Sequence, residues 1–373
     1  MRTHTVDGGT LFTLVQGHLE QYISYPNPHA STIHTVWIAH AWLVHAGVLD
    51  TTPRLAFLSA EHGSGKTIAL EFTSELTPNS LPVIDISPSA LFRMIEEEAR
   101  TVLIDEVDNL FNRKTEDYRE LLGLLNNGYR QSGTPVYRVE GTSSNRKPVS
   151  FNVFSPAVFA GLDNLPATLA SRTLAIRMRK ALPSERPPRH RRRKLESVWA
   201  DYREKLKTWS EEVTPRVSSD FLDEAYEKLP ESFTNRDAEL AEIMVATAML
   251  ASDEWVDATI KALDYLHKEE QRNSKAHMGT LLLADIRAIF NETGREWITL
   301  ADLTVELHGR EESPWLDYRN GNAISKHQVS SLLKTYDIKT EQKRIGGGRE
   351  RGYTPEMFTD AFARYLPPED SPD

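Results

Sequence analysis

Residues 55–67 read LAFLSAEHGSGKT, a strand-like apolar run that stops in a small, glycine-containing loop closing on Lys66 and Thr67. The pattern Ala60-x-x-x-x-Gly65-Lys66-Thr67 has the form of a phosphate-binding loop, with alanine where the first glycine is commoner. Each part meets a need of a polyphosphate. Gly63 and Gly65 permit close backbone approach, and successive N–H groups from Gly63 through Ser64, Gly65, Lys66, Thr67 and Ile68 form a nest for anions. Lys66 is placed to reach the β and γ oxygens and Thr67 to ligate Mg²⁺. A helix expected over 68–76 adds the positive end of its dipole. An ordinary strand-turn-helix corner is the bland reading, but the flanking strand and helix are what the motif requires. The fold class that follows is α/β, with the parallel sheet of a P-loop nucleotide hydrolase.

Residues 101–106, TVLIDE, supply the second half of the site. A short apolar run ending in two carboxylates is the form of a buried parallel strand that delivers acids to the carboxyl edge of a sheet. Asp105 would hold the Mg²⁺ shell and Glu106 would polarise the attacking water, as phosphoryl transfer to water demands. Alone, such a strand end is often a solvated turn. Paired with the glycine loop it makes ATP and Mg²⁺ the expected cofactors and ATP hydrolysis the expected reaction.

Composition narrows the class. At 373 residues, 39% apolar and 26% charged, the chain is long enough for two or three cores. There is no cysteine, which excludes disulfides, Cys-ligated zinc and thiol catalysis. No apolar run approaches a membrane span and no signal-peptide core is visible, so a cytoplasmic protein without membrane contact is expected. The net charge of −10 means that any nucleic-acid contact must come from local basic patches.

Along the chain, residues 1–50 are expected to be a helical segment, with amphipathic stretches over 11–23 and 32–46 split by Tyr25-Pro26-Asn27-Pro28. His34, His40 and His45 scatter around the second stretch, which suits packing or surface histidines better than a metal site. Over 51–180, strands and helices alternate, so a parallel core is expected there. Strands over 136–140 and 149–154 flank a polar tip holding Arg146 and Lys147, a β-hairpin placed just before the last core strand, 157–160. In ring-shaped ATPases a cationic hairpin at this point tracks a strand threaded through the pore. The competing reading is a hairpin whose cations keep its tip solvated; Arg146 and Lys147, with Arg138 in support, are the residues at stake. Leu165 to Arg172 and a strand over 173–178 follow. An arginine at this point is where a subunit presents a finger to its neighbour's γ-phosphate, and a surface salt bridge is the alternative for Arg172.

Several segments together resemble a known family. They are Pro53-Arg54-Leu55 through the loop, Ser87 to Arg93, Asp105-Glu106-Val107-Asp108, Leu125 to Arg130, Phe154-Ser155-Pro156-Ala157, and Leu165-Pro166 to Arg172. The chain resembles, over about 28–366, the domain-of-unknown-function family 3631, P-loop ATPases of phages and mobile elements often found beside primase-like modules. More broadly it resembles the AAA+ class, including its helicase branch. Where the family tends to carry acids, this chain has Ala167 and Ser171. The resemblance implies a helical lid over 181–275, with Asn164 as a sensor at the end of the last core strand. It also implies that Arg236, at the start of an apolar helix over 238–251, is a second sensor reaching back to the γ-phosphate; helix capping by Asn235 is the other explanation of that turn.

The lid opens on a proline-rich basic linker, 183–194, for which solvation is the default reading. The last zone, 276–366, reads as a winged helix: helices over 281–291, 301–307 and 325–336, a short strand at 297–299, and strands over 338–345 and 352–354 around Gly346-Gly347-Gly348. Residues 325–353 hold seven Lys and Arg against three acids. Lys326, Gln328, Ser331 and Lys334 could face a DNA groove, with Lys343, Arg344, Arg349 and Arg351 on the wing against phosphates. A protein-docking module is the alternative. The tail, 367–373, is acidic and expected to be disordered.

These features point to an ATP-dependent DNA helicase or translocase of a phage or mobile element. Its expected form is a homo-oligomeric ring, a hexamer by analogy, with single-stranded DNA in the pore and duplex at the winged helix. A nucleotide-switched helicase loader or initiator working on replication proteins, and a DNA-bound ATPase regulator, are the readings that compete with it.

Overall fold

In a computed structural model the chain is described over residues 7–84, 86–108, 116–133, 135–140, 147–162, 165–185, 187–310, 314–318, 322–345 and 348–366. It divides into two units, residues 1–267 and 268–373.

The first unit is mixed α/β. Its sheet uses β1 (Arg54–Leu58), β2 (Ser80–Val83), β3 (Thr101–Ile104), β6 (Ala157–Gly161) and β7 (Thr173–Arg177), in the order β2-β3-β6-β1-β7. Every neighbouring pair is parallel. Central strands β1, β3 and β6 are buried at every position, the burial expected where helices cover both faces of a parallel sheet. Between β3 and β6 the chain makes a separate antiparallel pair, β4 (Val136–Glu140) and β5 (Lys147–Phe151), with Glu140 opposite Lys147. The hairpin's tip, Arg146 included, lies outside the described residues.

Helices α1 (Gly8–Tyr22), α2 (Pro28–His45) and α3 (Lys66–Leu76) precede α4 (Pro88–Glu97), α5 (Glu116–Asn127) and the short α6 (Ala167–Ala170). Then come α7 (Arg192–Val213), α8 (Ser219–Glu227), α9 (Asn235–Met249) and α10 (Asp253–Thr293). On one face of the sheet, Leu91, Phe92 and Ile95 of α4 and Leu121, Leu124 and Leu125 of α5 pack against Ile104 and Phe159. On the other, α3 joins a single core that runs on through α1, α2, α7, α9 and the start of α10, with Phe12, Trp37, Trp199, Trp209 and Trp255 in it.

Here the sequence expectation needs correcting. Helix α2 begins at Pro28, with the side chain of Asn27 accepting from the Ala30 amide, and it is buried on nearly all sides rather than amphipathic. The reason is that it lies between the sheet's own helix α3 and the later helices, so 1–50 and 181–267 share one core. A single helix, α10, also runs unbroken through the expected boundary at 275/276, and the division between units falls after His267.

The three histidines of α2 tie it to its surroundings. Thr73 donates its hydroxyl hydrogen to Ala69 O, so it accepts from His34 Nε2 (2.7 Å), and His34 Nδ1 accepts from the Tyr25 hydroxyl (2.5 Å). His40 Nδ1 donates to Trp37 O (2.9 Å) and its Nε2 meets Thr52 Oγ1 (2.9 Å), while His45 Nε2 meets Thr101 Oγ1 (3.1 Å). These are neutral, packed imidazoles, as the packing reading expects.

The second unit has β8 (Ile298–Thr299), α11 (Leu300–His308), α12 (Lys326–Leu333), β9 (Glu341–Ile345), β10 (Gly348–Tyr353) and α13 (Thr359–Tyr365). Its antiparallel sheet has the order β8-β10-β9. The core is Leu282, Ile286, Leu303, Trp315, Val329, Leu333 and Phe358, and Trp315 Nε1 donates to Asp285 (2.6 Å). Strand β10 begins four residues earlier than the sequence suggested, because the charged run Arg349-Glu350-Arg351 pairs with β9 instead of forming a loop. Among the described residues no helix is long and apolar enough to cross a membrane.

Burial pushes His34 from 6.5 down to about 3, and His40 and His45 to about 4. Each imidazole therefore takes up a proton on unfolding only below pH 6.5. Stability is untouched above that pH and falls as the pH drops from 6.5 towards the folded values, by about 1.4 kcal/mol per pH unit for each histidine. Thermal unfolding followed by circular dichroism should show the midpoint falling from about pH 6.5 to about pH 5, less steeply in His40→Asn. A flat midpoint across that window would contradict the neutral packing of these rings.

Candidate nucleotide site

The glycine loop crosses from the end of β1 to the start of α3, and two left-handed glycines shape it, Gly63 at φ +75° and Gly65 at φ +87°. Gly65 is the residue before α3 and no side chain caps the helix there. The first amides of α3 are thus turned towards the loop's mouth, the arrangement that accepts an anion at a helix N-terminus. Lys66 Nζ donates to Glu61 O (3.0 Å), Ser64 Oγ (3.2 Å) and Ser59 O (3.4 Å). Burial holds this ammonium below its ordinary value, while Asp108 and Asp105 pull it back up.

The acids arrive from β3. Asp105 and Glu106 follow its last residue, Ile104, and the Glu106 amide donates to Asp105 Oδ1 (2.9 Å). Glu106 stands at φ +51°, a backbone strain of roughly 1–3 kcal/mol for a residue with a side chain. Asp108 Oδ1 accepts from the Leu162 amide (2.7 Å), which joins the end of β3 to the end of β6. Gly161 makes that junction possible, since a Cβ there would lie 2.7 Å from both Asp108 Oδ1 and Val107 Cγ1.

These groups line one cavity of about 490 Å³. Gly63 to Ile68 form its floor, and Asp105, Glu106 and Asp108 one wall. Tyr22 at the end of α1, Ile23 and Ser24 after it, and Ala181 and Pro187 after β7 also line the cavity, a more apolar wall that the sequence reading missed. No local signal in the sequence marked it, because its place beside the loop is set by tertiary packing. The donor set fits a nucleoside triphosphate with Mg²⁺: amides and an ammonium for phosphates, a hydroxyl and a carboxylate for a hard cation, and apolar surface for a base.

The remaining sequence candidates divide. Asn164 lies outside the described residues. Arg172 and Arg236 are brought together, but not at this cavity. Arg236 Nη1 donates to Ser171 Oγ (2.8 Å), and the Arg172 guanidinium, bonded to Thr168 O, lies 4.9 Å from the centre of the Tyr129 ring. Arg172 precedes β7, whereas Met178 at the far end of that strand touches the position of Gly65. Six residues of extended chain separate the two arginines from the loop by about 20 Å. Arg236 therefore does not reach back to its own chain's loop as expected, because the start of α9 meets Ser171 and Arg130 at the sheet's amino edge. Asn235 does not cap this helix either: it is left-handed at φ +52°, after Thr234, whose side chain makes no cap.

Of the basic residues, Lys147 opens β5 and is exposed, and for Arg138 only the backbone, paired with Val149, is described. In the basic linker, Arg192 pairs with Glu75 of α3 (2.6 Å) and His190 Nδ1 faces Glu71 (3.5 Å). In the second unit, Lys326 and Lys334 are exposed at the two ends of α12, while Gln328 is spent on a capping box with Ser325. On the β9–β10 ribbon, Arg344 faces Arg349 and Gln342 faces Arg351, so the three arginines share one face. Lys343 falls on the other face, opposite Glu350, with its ammonium 5.4 Å from the Trp297 ring centre.

The chain belongs to the family described as "Protein of unknown function (DUF3631)", whose family model matches residues 177–365, just over half the chain. That match begins at the end of β7, so the glycine loop and the acids of β3 lie before it, and it is shorter than the resemblance over 28–366. No curated protein matches the sequence. Among solved structures, "SCCmec type IV Cch - active helicase" is similar at 10% identity and a TM-score of 0.46, over 94% of this chain and 70% of that one. At that level nothing of its activity passes to this chain.

Gly161→Ala should force Asp108 off the Leu162 amide and destabilise the protein by about 1–3 kcal/mol in urea unfolding. Unchanged stability would show that the β3–β6 junction does not need the bare glycine.

Proposed function

We propose that this chain is an AAA+-type ATPase acting on DNA, a helicase or translocase of a phage or mobile element that works as a ring of its own copies. The observation that carries the reading is the meeting, at one carboxyl edge of a parallel sheet, of a left-handed glycine loop, Lys66 and Thr67 with Asp105 and Glu106. Triphosphate oxygens bind the amides of residues 63–68, and Lys66 neutralises the β and γ groups. The base lies on the Tyr22, Ile23 and Pro187 wall. Mg²⁺, held through Thr67 and Asp105, supplies charge neutralisation for phosphoryl transfer. Glu106, exposed and strained at the cavity wall, orients the water and takes its proton. Asp108 ties the acid-bearing end of β3 to the end of β6. Arg172 works in trans: the amino edge of one subunit faces the carboxyl edge of the next, where a guanidinium stabilises the transferring phosphoryl.

For DNA, the second unit is read as a winged helix, with α12 presenting Lys326 and Lys334 and the β9–β10 ribbon presenting Arg344, Arg349 and Arg351 to phosphates. The hairpin of Arg138, Arg146 and Lys147 is read as the element that tracks a strand in the pore.

Lys66→Ala should lose nucleotide binding in a fluorescent-nucleotide titration. Glu106→Gln should bind ATP yet scarcely hydrolyse it, and normal turnover by Glu106→Gln would remove that residue from the mechanism. Strand displacement, measured beside ATPase with and without single-stranded DNA, decides between translocase and loader: DNA-stimulated ATPase without any unwinding would favour the loader.

On the wing, removing Arg349 or Arg351 should weaken DNA binding and flatten its salt dependence by about 0.9 in log–log slope each, the release of one counterion. Lys343→Ala should change the slope less, because that ammonium is turned to Trp297 and Glu350. Equal slopes for all three variants would contradict this assignment of faces.

A further inference from the structure

Arg172 does not stand alone on the amino edge. Tyr129 is buried, and two guanidiniums lie over its ring, Arg172 at 4.9 Å and Arg130 at 5.3 Å from the centre. Arg130 is gripped by Glu239 through both of its fork nitrogens, Nε to Oε1 and Nη2 to Oε2, the bidentate geometry that fixes direction as well as distance. Glu239 lies three residues after Arg236 on α9, hence on the same helix face. The backbone beneath is pinned: the Thr52 amide donates to Tyr129 O (2.8 Å), the Gln131 amide to Asp50 O (2.7 Å), and Thr51 bridges Arg130.

The electrostatics give this arrangement a purpose beyond packing. Arg130, Arg172 and Arg236 are like charges crowded at one edge, and Arg236 helps hold the Arg172 guanidinium below its ordinary value, after burial. Glu239 is the carboxylate that engages one of them directly. Glu239 thus holds Arg130 over the same Tyr129 ring on which Arg172 lies. A second contact, Arg236 on Ser171, holds the residue next to Arg172 in the same way.

We infer that Glu239, Arg130 and Tyr129 form a positioning relay that sets the direction of Arg172, so that helix α9 controls the finger its own subunit offers to a neighbour. This rests on the trans role of Arg172 given above. The relay touches no reacting atom and acts only through that guanidinium. Movement of α9 would be transmitted one side chain at a time to the next subunit's site.

The test is a double-mutant cycle on the full-length chain, with steady-state ATPase as the readout. Glu239→Gln should lower kcat by about 10- to 100-fold, the cost of misplacing a reacting group, and leave KM for ATP unchanged. Arg130→Lys keeps the charge but loses the fork and should behave alike. In an Arg172→Ala background, Glu239→Gln should cost nothing more, because the residue it directs is gone. Mixing Glu239→Gln with Lys66→Ala protein should restore turnover, since each supplies what the other lacks.

A loss of the same size in both backgrounds, a raised KM, or no rescue on mixing would make Glu239 a structural residue and overturn the relay while the trans finger stands. Wild-type turnover by Arg172→Ala would instead overturn the finger, and the relay with it.

Discussion

A single buried guanidinium organises the amino edge of the sheet. Arg54 is fully buried at the first position of β1, and among the described residues no carboxylate pairs with it. Its Nη2 donates to Leu125 O (2.9 Å) and its Nη1 to Ser155 O, while its amide donates to Arg172 O (2.8 Å). Leu125 belongs to the last turn of α5, so the charge sits at the negative end of a helix dipole. One residue thus joins the start of β1, the end of α5, the approach to β6 and the start of β7. Burial, and then the nearby Arg172, push it down to about 9, where it is still a cation at neutral pH. Carbonyls take both Nη atoms while the buried Nε has no partner among the described residues, so losing either carbonyl would leave a buried charge still less paired, which makes the geometry at this edge hard to alter.

The consequence is a sheet with two chemically distinct edges. The carboxyl edge carries amides, Lys66 and the acids of β3; the amino edge carries Arg54, Arg130, Arg172 and Arg236. Because the strands between them are buried and parallel, the two sets are held about 20 Å apart and cannot meet within one subunit. On the proposed reading that separation is the reason for assembly, since the second set acts only on a neighbouring copy. The same reading makes α9 more than a cover, because it contributes Arg236 and Glu239 to the outgoing edge.

What could be read from the sequence was what short-range chemistry dictates. The glycine loop, the Asp-Glu strand end and the strand pair before β6 each carry their signal within a few residues, and the parallel sheet follows from the apolar runs at 55–58 and 101–104. What could not be read depends on partners far along the chain. Helix α2 looked amphipathic because nothing local announces that Met244 and its neighbours on α9 will cover its outer side. Arg236 looked like a residue for its own nucleotide because its neighbours in sequence say nothing of Ser171, 65 positions away. Lys343 and Arg344 looked equivalent, and only the β9–β10 register separates them. The Tyr22–Ser24 wall had no sequence signature at all.

The claim most exposed to test is that the site is completed by a second copy of the chain. ATPase turnover per protomer should be measured over a wide range of protein concentration, beside the oligomeric state by light scattering under the same nucleotide. The account predicts low turnover in dilute protein that rises with assembly and then levels off. Turnover that is the same per protomer at every concentration, in a protein that stays monomeric with ATP, would contradict it.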